Sequence, residues 1–196
     1  MGGLAALAYA TRHPTAALVL LAPVVPQQFA GEAIEVPCDP EVLWLPPPGM
    51  AASLFWNRVS AALDERYTAL LSPESPLAVI EATRWTVGVD TSTVTAPSLL
   101  SAAEDDPLVP APYVQSMAAA LGSEFYAFPG EGHGLTLNPV WEAVVERVID
   151  WLRRVRETPR LRVGRAHTSV ARREPYSRDR TVKSDALNIP AGSSQS

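Results

Sequence analysis

Cysteine is almost absent from this sequence: Cys38 is the only one in 196 residues. A single thiol excludes an internal disulfide and a cysteine-based zinc site, and it points to a reducing, cytoplasmic compartment. Long hydrophobic runs are missing as well. The longest, Ala16 to Val25, is about half of the roughly 20 residues that a transmembrane helix needs, so no membrane span is expected. No basic leader precedes the apolar residues at the start, so no secretory signal is expected either. No cofactor and no bound metal are implied by the pattern of residues.

What remains is a chain with 47% hydrophobic and 19% charged residues, the balance of a globular domain rather than of a disordered or membrane-embedded one. Its net charge of −5 is unevenly spread. The segment from Glu157 to Ser196 holds eight of the sixteen basic residues, Arg160, Arg162, Arg165, Arg172, Arg173, Arg178, Arg180 and Lys183, among Ser, Thr, Pro and Gly. That composition predicts a disordered, Arg-rich tail over 157–196 behind an acidic domain over 1–156. Acidic residues are interleaved with the arginines and Tyr176 is the only aromatic ring among them, so a solvated tail is expected rather than an arm for nucleic acid or anionic lipid.

Along the domain, Leu4, Leu7 and Ala8 predict a short helix that ends near His13-Pro14, with His13 suited to the negative end of the helix dipole. Thr15 to Pro23 is continuously apolar, the pattern of a parallel strand covered on both faces. From Gln27 to about Thr93 the order changes to proline-rich loops and helical pieces, including an amphipathic stretch through Leu54, Phe55, Val59, Leu63, Tyr67, Leu70 and Leu71. This segment, 27–93, reads as a helical cap inserted between strands. Trp44, Phe55, Trp56 and Trp85 either line an apolar pocket under it or pack it onto its base. A strand is predicted from Val94 to Ala102 and a helix with Val114, Met117, Ala118 and Leu121 on one side, stopped by Gly122. Glu124 to Phe128 alternates as another strand. Asn138-Pro139 is expected to cap and start a last helix carrying Trp141, Val144, Val145, Val148, Ile149 and Leu152. The order of elements predicts an α/β fold with a parallel sheet between layers of helices.

In an open parallel sheet, reactive groups collect at the carboxyl ends of the strands. Here two such ends carry an acid and an imidazole: Glu104-Asp105-Asp106-Pro107 and Pro129-Gly130-Glu131-Gly132-His133-Gly134. A carboxylate bonded to one imidazole nitrogen fixes the tautomer and leaves the other nitrogen free to accept a proton from a nucleophile. A histidine in a glycine-rich loop is as often structural as functional. Its pairing with an acid at the preceding strand end favours function.

These segments, in this order, resemble the later part of the α/β-hydrolase family. Met1-Gly2-Gly3 is similar to the residues that follow the serine in that family's Gly-x-Ser-x-Gly elbow. Asp106-Pro107-Leu108-Val109-Pro110 is similar to the segment with the family's acid, and Phe128 to Gly134 to the segment with its base. The resemblance covers about Met1 to Arg156. It implies a partial three-layer α/β-hydrolase sheet of about three parallel strands with flanking helices, a helical cap and a disordered tail. It also implies His133 as general base, Asp106 as its orienting acid with Asp105 as runner-up, and the Met1 nitrogen as an oxyanion-hole donor. The reaction implied is hydrolysis of a carboxylic ester or related acyl bond through a Ser-His-Asp mechanism, on a small apolar acyl substrate. Ser53, Ser72, Ser101 and Ser116 are not in elbow contexts, so the nucleophile is expected outside this chain and the chain is expected to be inactive alone. An N-terminal half supplied in trans, or a non-catalytic module that binds a ligand or partner, are the alternatives.

Overall fold

A computed structural model of the chain describes residues 1–157. Its centre is a three-stranded parallel sheet, β1 (Leu18–Leu21), β2 (Ser98–Ala103) and β3 (Glu124–Phe128), in that spatial order. Leu20 pairs with Leu100 and Leu100 with Phe125. Because side chains alternate along a strand, this register puts Leu18, Leu20, Leu100, Ala102 and Phe125 on one face and Leu21, Ala103, Tyr126 and Phe128 on the other.

Each face has its own helices. Helix α1 (Gly2–Ala10) and helix α5 (Ala111–Leu121) bury Leu7, Val114, Met117 and Ala118 against the first. Helix α6 (Trp141–Glu157) brings Val144 to the second. The result is the partial three-layer α/β arrangement that the order of elements predicts. Gly3 lets α1 approach the end of β1, since a Cβ there would lie 2.6 Å from Pro23 Cβ. Residues of 27–93 form no strand of this sheet. They fold as three helices, α2 (Met50–Phe55), α3 (Ala61–Ala69) and α4 (Pro76–Thr83), flanked by two short 3₁₀ turns. Ser60 and Ser75 cap α3 and α4 by accepting from Leu63 N and Ala78 N.

Several local expectations shift. Regular helix in α1 ends at Ala10 and the chain turns through Thr11 to His13: the Thr11 hydroxyl donates to Ala8 O, His13 N closes the last turn on Tyr9 O at 3.1 Å, and the His13 ring stacks on that of Tyr9 at 4.2 Å. The amphipathic stretch from Leu54 to Leu71 is broken at Trp56–Ser60 into α2 and α3. Helix α6 begins at Trp141, three residues after the expected cap, because the Asn138 side chain points inward to other partners. Its apolar face is wider than what it covers: Val144 and Trp151 are buried, while Trp141, Val145, Ile149 and Leu152 are exposed. Strand β1 pairs with β2 alone among the described residues. The tail expected over 157–196 lies, from residue 158 onward, outside the described residues. No helix among the described residues is long and apolar enough to cross a membrane.

Leu100 is fully buried in the central strand, so Leu100→Ala is expected to cost about 2–5 kcal/mol in urea unfolding. Leu70→Ala, at a 73% exposed position, is expected to stay within about 0.5 kcal/mol.

Candidate functional site

The ends of β2 and β3 are tied together beyond the ladder. Glu104 N donates to Phe128 O at 3.1 Å and Asp105 N to Glu131 O at 2.9 Å. These two bonds carry the parallel pairing into the loops and bring the acid and the imidazole side by side. Asp106 then closes a tight turn, its Oδ1 accepting from Leu108 N at 2.8 Å and Val109 N at 2.9 Å. Its Oδ2 is 2.8 Å from His133 Nδ1, with the carboxylate fully buried and the imidazole 25% exposed. Three donors therefore meet a carboxylate that water does not reach, which is what burial of such a group requires.

The geometry separates the two candidate acids. Asp106 faces His133, whereas Asp105 is exposed and only its backbone joins the loop contacts. An ionised carboxylate at this place can only accept, which makes Nδ1 the donor and leaves Nε2 of a neutral ring as an acceptor. Nε2 bonds to none of the described residues.

The loop that carries His133 is held from the cap. Asn57, between α2 and α3, accepts from Gly132 N at 2.8 Å and from Asn138 Nδ2 at 3.0 Å, and donates to Gly130 O at 3.2 Å. Asn138 also donates to Glu131 Oε2 at 3.0 Å, and Arg58 Nη1 lies 3.4 Å from Glu131 Oε1. Gly134 N donates to Phe55 O. Gly134 has no room for a side chain, because a Cβ would collide with that carbonyl. Sequence reasoning missed Asn57, Arg58, Glu131 and Asn138 as members of the site. The one signal for them was a pair of polar residues, Asn57-Arg58, directly after the apolar Phe55-Trp56.

Beside the Asp106–His133 pair lies a cavity of about 310 Å³. Leu108 and Val109, which bond to Asp106, form one wall; Trp44, Phe55, Leu71 and Val79 of the cap form another. Of the four aromatic cap residues, Trp44 and Phe55 thus line this cavity. Trp85 packs in the core with its Nε1 donating to Glu32 O, and the buried Trp56 donates to Asp64. Met1 is at the cavity too, and burial lowers the pKa of its amino group below the ordinary value, against an opposing effect of the Glu74 carboxylate. Ser72 lines the cavity without a hydrogen bond to His133. No group of three or more His, Cys, Asp or Glu among the described residues could hold a metal ion.

Asp106→Ala is expected to abolish the downfield Nδ1 proton resonance of His133 in ¹H NMR, while Asp105→Ala leaves it in place. The opposite result would make Asp105 the partner.

No protein-family model matches the sequence, and no curated protein does. Solved structures do match. A thermophilic esterase from Thermogutta terrifontis is 19% identical with a TM-score of 0.54, over 79% of this chain and 62% of that one. A monoacylglycerol lipase from Paleococcus ferrophilus is 16% identical with a TM-score of 0.58, over 80% of this chain and 65% of that one. A bacterial membrane phospholipase A is 20% identical with a TM-score of 0.57, over 80% of this chain and 55% of that one. The chain spans 55% to 65% of the length of these three structures. At such identities the likeness concerns the fold, and the fold of this chain is part of an α/β-hydrolase fold.

Proposed function

We propose that the chain supplies the acid–base pair and the acyl pocket of a serine-dependent hydrolase that acts on carboxylic esters or related acyl bonds. The observation that carries this reading is the buried Asp106 carboxylate bonded to His133 Nδ1 at 2.8 Å, with Nε2 bonded to none of the described residues and the ring beside an apolar cavity. In the proposed reaction Nε2 takes the proton of a serine hydroxyl as its oxygen attacks the acyl carbonyl, then returns it to the leaving group. Asp106 holds the ring in the required tautomer and stabilises the imidazolium that forms. The cavity, with Trp44, Phe55, Leu71, Leu108 and Val109 around it, suits a small apolar acyl group. Met1 stands at the start of α1, whose positive dipole end favours a developing oxyanion, and its nitrogen is the proposed donor.

The nucleophile is proposed to come from another segment, an elbow supplied with the strand that would pair on the free edge of β1, either on a longer chain or in trans. Strand β1 leads with Leu-Val-Leu-Leu and is bonded on one side only among the described residues, which is the edge such a strand would take. A second reading, a module that binds an apolar ligand without turning it over, is favoured by the cavity alone.

The 196-residue chain by itself is expected to show no turnover of short p-nitrophenyl acyl esters that an active-serine reagent can block. Completed with a segment ending in strand and Gly-x-Ser, it is expected to gain that turnover and to lose it in His133→Ala, by a factor on the order of 10⁶. Reagent-sensitive turnover by the isolated chain would overturn the proposal, and a completed, folded form with no turnover would favour the binding module.

A further inference from the structure

The hydrogen bonds and the ion pair that join loop residues 130–134 to the cap fall on three residues of one short segment. Phe55 O accepts from Gly134 N, Asn57 bonds to Gly130, Gly132 and Asn138, and Arg58 faces Glu131. Loop residues 130, 131, 132 and 134 each meet a cap atom, and the one between them, His133, sends its side chain to Asp106 instead. Gly134 N belongs to the peptide plane that leaves His133, and Gly132 N to the plane just before the one that enters it. Ties on either side of His133 narrow the directions open to its Cα–Cβ bond, and hence where the ring starts. Without the cap the loop would keep the Asp105 N to Glu131 O bond and its own internal turn, in which Leu135 N donates to His133 O at 3.0 Å; Phe55 O, through Gly134 N, is what ties the plane that leaves His133 to the rest of the fold.

The polar chemistry of the segment is matched to this task. Asn57 is the one described side chain that both accepts from and donates to the loop. A residue with a single function there would leave Gly132 N or Gly130 O without it. Asn138, wholly buried, bridges Asn57 to the buried Glu131 carboxylate, so the clamp is a continuous network and not two separate contacts. The Arg58 side chain is 55% exposed, which makes its pairing with Glu131 the weakest member. Phe55 belongs to the clamp and to the cavity wall at once, its ring centroid 6.4 Å from that of His133.

We propose that the Phe55–Arg58 segment of the cap holds His133 in register with Asp106, and that Asn57 is a positioning residue of the site. The cap is then part of the acid–base assembly: a cap that lifts away from the loop releases the imidazole. The hydrolase reading above supplies what the ring does once held; the clamp itself stands on the contacts.

The test needs no turnover. The chain has three histidines, His13, His133 and His167, so a sample labelled with ¹⁵N-histidine gives few ring signals, and His133→Gln assigns the one of interest. Asn57→Ala is expected to broaden or abolish the Nδ1 proton resonance of His133 and shift its ring nitrogens, with His13 and His167 unchanged. Ser60→Ala removes the cap of α3 without touching the loop and is expected to lower Tm while leaving the His133 signals in place. Arg58→Ala, at an exposed side chain, serves if Asn57→Ala does not fold; it is expected to shift the same ring nitrogens in the same direction by less, with Tm unchanged. Unmoved His133 signals in folded Asn57→Ala, or in Arg58→Ala where Asn57→Ala does not fold, or an equal shift in Ser60→Ala, would overturn the clamp. A shifted signal in a completed form that never turns over an ester would sink the hydrolase reading and keep the clamp. Unmoved signals in an active one would do the reverse.

Discussion

The arrangement rests on two backbone hydrogen bonds beyond the ends of the sheet, Glu104 N to Phe128 O and Asp105 N to Glu131 O. A parallel ladder aligns strands but does not by itself say where the loops after them go. By extending the pairing past Ala103 and Phe128, these bonds bring the turn of Asp106 against the loop of His133. The Asp106 turn then does two things with one carboxylate: Oδ1 closes the turn on Leu108 and Val109, and Oδ2 meets the imidazole. The same two residues, Leu108 and Val109, form a wall of the cavity. The Asp106–His133 pair and one wall of the cavity are therefore consequences of one local fold.

The cap completes what the sheet begins. From the sheet side the histidine loop has one backbone tie and the Asp106–His133 bond, and Phe55, Asn57, Arg58 and Asn138 supply further polar partners to residues 130, 131, 132 and 134. Burial explains the density of this network. Glu131 and Asn138 are buried, and a buried carboxylate or amide without partners costs more than most single contacts return. The Asn138 Oδ1 atom is the exception, with no partner among the described residues. Turning the amide over would set that oxygen against the Glu131 carboxylate, so the observed orientation is the better of the two.

Two exposed features lie away from the Asp106–His133 pair. The outer face of α6, through Trp141, Val145, Ile149 and Leu152, is apolar and open, and β1 has one bonded edge among the described residues. The opposite edge of the sheet differs in character. There Arg154 pairs with Glu124 at 2.6 Å and the Arg147 guanidinium sits 4.1 Å from the centre of the Tyr126 ring, so charge lies along β3 and none along β1.

The sequence by itself determined the order of helices and strands, the parallel sheet and the placing of a carboxylate cluster and an imidazole at successive strand ends, because hydrophobic period, glycine and proline act locally. Strand β3 and the C-terminal end of helix α5 could be read to within a residue or so for that reason: their apolar spacing and the left-handed Gly122 are features of a few neighbouring positions. Tertiary structure alone decided that Asp106 and not Asp105 faces His133, since adjacent side chains point apart and the dihedrals of one turn choose between them. It also decided that Trp44 and Phe55 line the cavity while Trp85 fills the core, and that Asn138 turns inward instead of capping α6. The bonds from Asn57 to Gly132 and to Asn138 join residues 75 and 81 positions apart. A contact of that span leaves no periodicity or local motif in the chain, because it comes into being only when the cap closes over the end of the sheet.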